Sequence, residues 1–183
     1  IERRAQTLSE RIKEILVLGD LRSEKTNGEK ADPVIIVELL DSVIEELKAK
    51  SRARRITITT DIPRSSLRIN KKKLFFLFSN LLSNAISYSH EGGTIAITAV
   101  DDDSHVRVSI ADNGIGISEE ALPHIFDEYY RSIEGASFNE QSTGLGLAIV
   151  KEIAQNTGLG IIVASEKNKG TTFEIAIPKE PRE

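Results

Sequence analysis

Four polar or glycine-rich clusters decide the fold of this chain and read Asn80-Leu-Leu-Ser-Asn84-Ala-Ile-Ser-Tyr88, Asp112-Asn-Gly114-Ile-Gly116, Phe126-Asp-Glu-Tyr-Tyr-Arg131 and Thr143-Gly144-Leu-Gly146-Leu-Ala-Ile-Val150. The first cluster puts two amides one helical turn apart, and the second puts a carboxylate beside a glycine turn. The fourth puts glycines at the start of a helix. Together these groups can hold a metal ion, an organic base and a phosphate, so the sequence predicts a nucleotide site.

The first cluster belongs to a helix predicted over residues 71–88, whose apolar residues fall on one broad face. Asn80, Asn84, Ser87 and Tyr88 form a polar stripe along one edge of that face. Asparagine inside a helix costs roughly half a kcal/mol relative to alanine, so the pair calls for an explanation. An amide oxygen is a hard, neutral ligand that suits Mg²⁺. The alternative is that both amides bond local main chain or face water.

Asp112 follows a predicted strand, where Gly114 and Gly116 permit a sharp bend. A carboxylate there can accept a hydrogen bond from the exocyclic amine of adenine, although an Asp-Asn-Gly turn can equally be an ordinary turn. Gly144 and Gly146 precede an apolar helix, where main-chain N–H groups attract phosphate, or where two elements simply pack closely. The polar stretch 130–143 is predicted to be a lid, with disorder without function as the alternative.

Composition excludes several classes of function. The chain has 183 residues, 39% of them hydrophobic, a net charge of −4 and no cysteine. The acidic balance argues against a nucleic-acid surface, and the lack of cysteine excludes disulfides and thiolate metal sites. No apolar run approaches the roughly 20 residues that span a bilayer, and no signal peptide is evident. We therefore expect this chain to be cytoplasmic and to make no membrane contact. It is expected to belong to a larger parent protein, whose membrane anchoring the sequence leaves open.

The order of predicted elements is mixed, which indicates an α+β fold. It is a two-layer sandwich with helices on one face of a mixed, mostly antiparallel sheet. Asp32-Pro33 predicts the start of a helix that runs to about Arg52, with Val34, Val37, Leu40, Ile44 and Leu47 buried. A further helix is predicted over 144–156. Strands are predicted over 56–60, 67–70, 94–100, 106–110, 160–164 and 171–177.

Residues 1–31 are interpreted as an incomplete dimerisation-type helix with a linker, and residues 32–183 as the binding domain. An apolar seam at three- and four-residue spacing marks the helix, formed by Ile1, Ala5, Leu8, Ile12 and Ile15. Such a narrow seam is typical of one strand of a helical dimer, or else of a helix that packs within the chain.

In this order and spacing, the four clusters resemble the ATP-binding catalytic domain of sensor histidine kinases. That domain belongs to the GHKL, or Bergerat-type, superfamily with gyrase, Hsp90 and MutL. The clusters are similar to the asparagine box, the first glycine box, the phenylalanine box and the second glycine box. Lys169-Gly-Thr-Thr-Phe173 resembles the closing motif. The resemblance covers residues 32–178 and implies a Bergerat-type sandwich, with the leading helix similar to the second helix of a dimerisation hairpin.

The resemblance implies a role for each cluster. Asn84 would ligate Mg²⁺ with Asn80 assisting, which makes both catalytic, and Asp112 would bind the adenine amine. Further ATP contacts would come from Tyr88, Gly114, Gly116, Tyr130, Arg131, Gly144, Leu145, Gly146, Leu147 and Thr172. The chain departs from the family at Ser87, where a lysine is common. One phosphate contact is then missing, or is supplied by Arg131 or a lid residue.

The implied function is the catalytic part of a two-component kinase. It would transfer the ATP γ-phosphate to a histidine on an upstream helix of a homodimer, for relay to a response regulator receiver domain. His90, His105 and His124 lack the acceptor context and are expected to be structural or solvent-facing. Two alternatives remain: a nucleotide-binding scaffold without catalysis, and a serine kinase or ATPase of the anti-sigma type.

Overall fold

The computed structural model describes residues 12, 14–22, 33–139 and 142–179. Helix α1 comprises residues 14–22. The other helices are α2 (Ile36–Glu46), α3 (Lys48–Ala53), α4 (Lys71–Tyr88), α5 (Ile133–Phe138) and α6 (Gly146–Thr157), with a single 3₁₀ turn at Leu122–His124. The strands are β1 (Pro33–Ile35), β2 (Thr57–Asp61), β3 (Ser66–Arg68), β4 (Thr94–Asp101), β5 (His105–Asp112), β6 (Gly160–Glu166) and β7 (Gly170–Pro178).

Five strands form one sheet in the order β2-β4-β5-β7-β6. The β2–β4 pair is parallel and the other pairs are antiparallel. Alternate residues of β7, among them Phe173, Ile175 and Ile177, are buried in the core that the sheet shares with the helices. This alternation is what a sheet with one covered face requires. The predicted α+β sandwich with a mostly antiparallel sheet is confirmed.

Helix α4 has the bounds that its apolar periodicity predicts. Its N-cap is Asn70, whose side chain accepts a hydrogen bond from the N–H of Lys73 at 2.9 Å. Leu74, Leu77 and Phe78 are fully buried, because they lie on the face turned to the sheet. Such a cap and such a face hold the asparagine-bearing helix in one position.

The helix predicted from Asp32-Pro33 to Arg52 is wrong in its start and in its continuity. Pro33–Ile35 is a strand that pairs with Ser66–Arg68, and α2 begins only at Ile36. Strand pairing overrides the local helix-start signal, because it buries Val34 and satisfies the adjoining main chain. The buried residues of α2 are Ile36, Leu39, Leu40 and Val43. Of the predicted set, Leu40 and Val34 are buried, Val34 on β1, Ile44 and Leu47 are partly buried against the core, and Val37 is not part of it.

Helix α1 packs against the rest of the chain through its last turn. Leu18 and Leu21 are 6% exposed and belong to the core, and Asn156 Nδ2 donates to the Leu21 carbonyl at 2.9 Å. Ile12 and Ile15 are half exposed, and Ile1, Ala5 and Leu8 lie outside the described residues. The described part of the seam is thus not packed within the chain, and dimerisation stays a prediction. In the part of the chain that the structure describes, no helix is both long and apolar enough to cross a bilayer.

Candidate functional site

Two adjoining pockets lie where α4, α6 and the turn after β5 meet. The apolar pocket has a volume of about 110 Å³, and the polar pocket has a volume of about 490 Å³. They share one wall, made by Asn84, Tyr88, Ile125, Tyr130 and Leu147. The predicted site residues of four separate clusters therefore meet in one region of the surface.

The apolar pocket ends at the carboxylate of Asp112. Its Oδ1 accepts hydrogen bonds from the N–H groups of Gly114, at 2.9 Å, and Thr171, at 3.3 Å. The remaining wall is largely aliphatic and aromatic and includes Ile115, Ile117, Ala121 and Phe173. A largely apolar pocket with a carboxylate acceptor in its wall can bind a heteroaromatic ring that carries an amino group.

The turn that carries Asp112 is tightly fixed. The N–H of Ile115 donates to the Tyr88 carbonyl at 3.1 Å, which ties the turn to the end of α4. A Cβ on Gly114 would lie 2.2 Å from the same carbonyl oxygen. Gly116 has φ +65°, and a Cβ there would lie 2.0 Å from the carbonyl oxygen of Glu166. Both glycines shape the pocket through main-chain packing; Gly116 also lines it.

Burial raises the pKa of the Asp112 carboxyl, although the N–H groups of Gly114 and Thr171 act in the opposite direction. A carboxyl with a raised pKa in the folded state stabilises the fold below its ordinary pKa, and this contribution is lost as the pH rises through the raised value. Asp112→Asn keeps an Oδ1 acceptor for both N–H groups but removes the titration.

We expect the free energy of unfolding of the wild type to fall, relative to Asp112→Asn, as the pH rises from about 4 toward neutrality. Urea unfolding at pH 4, 5, 6 and 7 measures this difference. A difference that is constant over the series, or that rises with pH, contradicts the assigned pKa direction.

The asparagine pair packs close to the start of α6 at the wall of the polar pocket. A Cβ on Gly146 would lie 3.0 Å from Asn80 Oδ1 and 3.8 Å from both terminal atoms of the Asn84 amide. The Nδ2 of Asn80 donates to the Phe76 carbonyl at 2.8 Å, which holds its Oδ1 toward Gly146. The two alternatives considered for Asn80, a bond to local main chain and a ligand oxygen for a metal, are therefore compatible. Its amide nitrogen bonds the main chain, and its amide oxygen faces Gly146 at the pocket. This donor set fits a hard cation.

The glycine segment before α6 is packed against the segment that ends in Arg131. Gly144 has φ +77°, and its carbonyl accepts from the Tyr129 N–H at 3.0 Å. Gly144 and Gly146 line the polar pocket, and Leu147 lines both pockets. Leu145 is 1% exposed, belongs to the core and lines neither pocket.

The predicted lid contains a short helix, α5, that its sequence did not reveal. Arg131 lines the apolar pocket, and its Nη2 donates to the carbonyls of Ala136, at 3.2 Å, and Asn139. The guanidinium thus holds the end of α5, and its contact with phosphate stays a prediction. The hydroxyl of Tyr88 donates to Ser142 Oγ at 3.1 Å, which joins α4 to the far end of this segment.

The structure places Thr171, rather than the predicted Thr172, at the apolar pocket. Successive residues of a strand point to opposite faces, and Thr171 shares the inner face with Phe173. The hydroxyl of Thr171 also lies 2.8 Å from that of Ser165, which accepts from the Ile117 N–H. The period-two burial of β7 is the signal that would have identified Thr171.

The three histidines of the chain lie outside both pockets. His90 is exposed and packs edge-on against Phe138, while His124 pairs with Asp127 on the surface. His105 begins β5 beside Ser104. These positions agree with the structural or solvent-facing roles expected for them.

Comparison with known proteins gives the family. Residues 69–181 match the family described as histidine kinase-, DNA gyrase B-, and HSP90-like ATPase, which covers more than half of the chain. The chain belongs to this family of ATPases. Its relatives include the sensor histidine kinase RppB of Synechocystis sp., 32% identical over 97% of this chain and 39% of RppB. Another is the heme sensor protein HssS of Staphylococcus saprophyticus, 35% identical over 96% of this chain and 37% of HssS.

Solved structures of histidine kinases share the fold of this ATPase domain. The catalytic domain of ThkA has a TM-score of 0.71 at 28% identity, covering 82% of this chain and 98% of that chain. Full-length ShkA, in complex with AMPPNP, has a TM-score of 0.78 at 25% identity over 96% of this chain and 36% of ShkA. The chain therefore contains an ATP-binding domain of the type found in the catalytic part of sensor histidine kinases. It spans about two fifths of the length of RppB and HssS.

Proposed function

We propose that this chain is the catalytic part of a two-component sensor histidine kinase. It transfers the γ-phosphate of ATP to a histidine on an upstream helix, from which a response regulator receiver domain takes it. The observation that carries this proposal is the pair of pockets with a common wall. One ends in a half-buried carboxylate, and the other presents an amide pair to a helix start.

The apolar pocket suits adenine. Asp112 Oδ1 is engaged by two main-chain N–H groups, which leaves the carboxylate able to accept from the adenine amine. Tyr88 and Leu147 flank the passage between the pockets, where a ribose would lie. The similar structure of ShkA is a complex with AMPPNP, an analogue of ATP, which supports this assignment.

The polar pocket suits the phosphates. Main-chain N–H groups at the start of α6, opened by Gly144 and Gly146, attract phosphate oxygens. Asn84 and Asn80 would hold Mg²⁺ through their amide oxygens, and the ion when bound would neutralise phosphate charge. Phosphoryl transfer needs positioning and charge stabilisation more than covalent help, and the amide pair and the helix start can supply both.

The division of the chain follows from this assignment. Residues 32–183 form the ATP-binding domain, and residues 1–31 contribute part of the helical hairpin through which the parent forms a homodimer. The exposure of Ile12 and Ile15 supports the dimer, because an apolar seam gains stability from a partner helix. The catalytic domain is proposed to act in the cytoplasm, where ATP is supplied.

Incubation with γ-labelled ATP, Mg²⁺ and a separately made acceptor hairpin tests the activity. We expect acid-labile, base-stable phosphohistidine on the hairpin, and at subsaturating ATP about tenfold less or lower with Asp112→Asn. In that variant, the two N–H groups engage the amide oxygen, so an NH₂ donor faces the adenine amine and ATP affinity falls about tenfold or more.

The same assay separates the rival functions. Tight ATP binding without labelled histidine, tested with several acceptor hairpins, supports the non-catalytic scaffold. Phosphoserine on an added protein, or free phosphate in proportion to enzyme, supports a serine kinase or an ATPase. Absence of ATP binding contradicts the assignment of the pockets.

A further inference from the structure

The phosphate side of the site needs a positive charge beyond the metal. A nucleoside triphosphate carries about four negative charges, and one divalent ion neutralises about two of them. Ser87, which lines the polar pocket, donates its hydroxyl to the Ser83 carbonyl at 2.7 Å and supplies no charge. Arg131 is directed to the carbonyls at the end of α5.

Among the described residues that line the polar pocket, two are basic, Lys50 and Arg54, and both lie on or directly after α3. Arg54 is committed elsewhere, because its Nη2 donates to the Ser89 carbonyl at 2.7 Å. Its guanidinium also lies 5.7 Å from the centre of the Phe138 ring. These contacts fix Arg54 at the C-terminal end of α4, as a structural cation.

Lys50 is placed differently. Its Nζ lies 2.6 Å from Ser83 Oγ and 3.2 Å from the Ser83 carbonyl oxygen, at the wall that carries the amide pair. Ser83 directly precedes Asn84 and lies one turn before Ser87, so the ammonium group sits on the face of α4 turned to the pocket. A phosphate oxygen would offer this ammonium group a charge-assisted hydrogen bond, stronger than its bonds to the two Ser83 oxygens. The flexible lysine stem allows that exchange.

We propose that Lys50 is a phosphate-binding residue, and that its ammonium group contacts the terminal phosphates of the bound triphosphate. It thereby takes the place of a cation at position 87 of α4. The charge comes from a neighbouring helix, because α3 packs its Lys50 side chain across the serine edge of α4. This inference rests on the proposed function, since it assumes that the polar pocket holds the phosphates.

Titration calorimetry of the 183-residue chain with ATP, ADP and AMP, each with Mg²⁺, tests the proposal. We expect Lys50→Ala to weaken ATP binding about tenfold or more and to leave AMP binding within about twofold. Lys50→Arg, which keeps the charge, should restore most of the ATP affinity.

The matched control is Lys48→Ala. Lys48 is on the same helix, carries the same charge, pairs with Glu45 at 2.7 Å and lies outside both pockets. It should leave the affinity for all three nucleotides unchanged.

Two outcomes would overturn the role of Lys50: unchanged ATP affinity in Lys50→Ala, or an equal loss for ATP and AMP, which indicates a structural role. A wild-type chain that binds none of the nucleotides instead overturns the proposed function itself.

Discussion

Asn84→Ala should remove most of the magnesium-dependent affinity for ATP. The Asn84 amide lines the polar pocket and lies close to Gly146, where the phosphates are proposed to bind. Loss of groups that only orient metal ligands costs about 10- to 100-fold in metal affinity, so loss of a ligand itself should reach the upper end of that range. Calorimetric titration with a non-hydrolysable ATP analogue, with Mg²⁺ and with EDTA, measures the effect.

The control for this prediction is Ser79→Ala on the same helix. Ser79 donates to Glu46 at 2.7 Å and lines neither pocket, so its removal should leave nucleotide binding unchanged. In EDTA, the wild type and Asn84→Ala should bind the analogue with similar, weak affinity. Equal heats for both proteins in Mg²⁺ would contradict the metal role of Asn84.

Gly116→Ala should destabilise the fold by several kcal/mol. A residue with a Cβ loses about 1–2 kcal/mol at positive φ, and this Cβ would also meet the Glu166 carbonyl oxygen at 2.0 Å. Overpacking against main chain adds about 1–3 kcal/mol, because a backbone carbonyl cannot rotate away as a side chain can. Urea unfolding at constant pH, followed by circular dichroism, gives the free energy difference.

Gly92→Ala separates the two contributions. Gly92 has φ +76° but nothing within 4 Å of a Cβ, so this variant should lose only the conformational part, about 1–2 kcal/mol. If the free energy of unfolding fell equally in both variants, the contact with the Glu166 carbonyl oxygen would contribute nothing to the destabilisation. The expected order is wild type, then Gly92→Ala, then Gly116→Ala.

The sequence predicts most of the fold where local signals agree with tertiary packing. Helix α4 is 18 residues long, periodic and capped by Asn70, so its bounds follow from the chain alone. At Pro33 a strong helix-start signal fails, because the pairing with Ser66–Arg68 depends on residues more than thirty positions away. Helix α5 has only 6 residues, too few for a period; its one signal is Ser132, whose Oγ caps the Gly135 N–H at 3.1 Å.

The sequence likewise identifies some residues of the candidate site and misses others. Residues with distinctive chemistry, such as Asn84 and Asp112, can be identified from the sequence, and the fold brings them to one pocket. Apolar wall residues such as Ile117 and Ala121 carry no chemical signal, so only the structure identifies them. Lys50 is also missed, because its proximity to α4 comes from helix packing and from no motif.

The single parallel pair in the sheet has a consequence for motion around the nucleotide. Neighbouring strands with a common direction need a crossover connection, and between β2 and β4 that connection includes α4. The asparagine-bearing helix is therefore connected by the chain to the border strand β2 at one end and to β4 at the other. We expect opening and closing to involve the facing wall, residues 121–139, which no sheet strand interrupts.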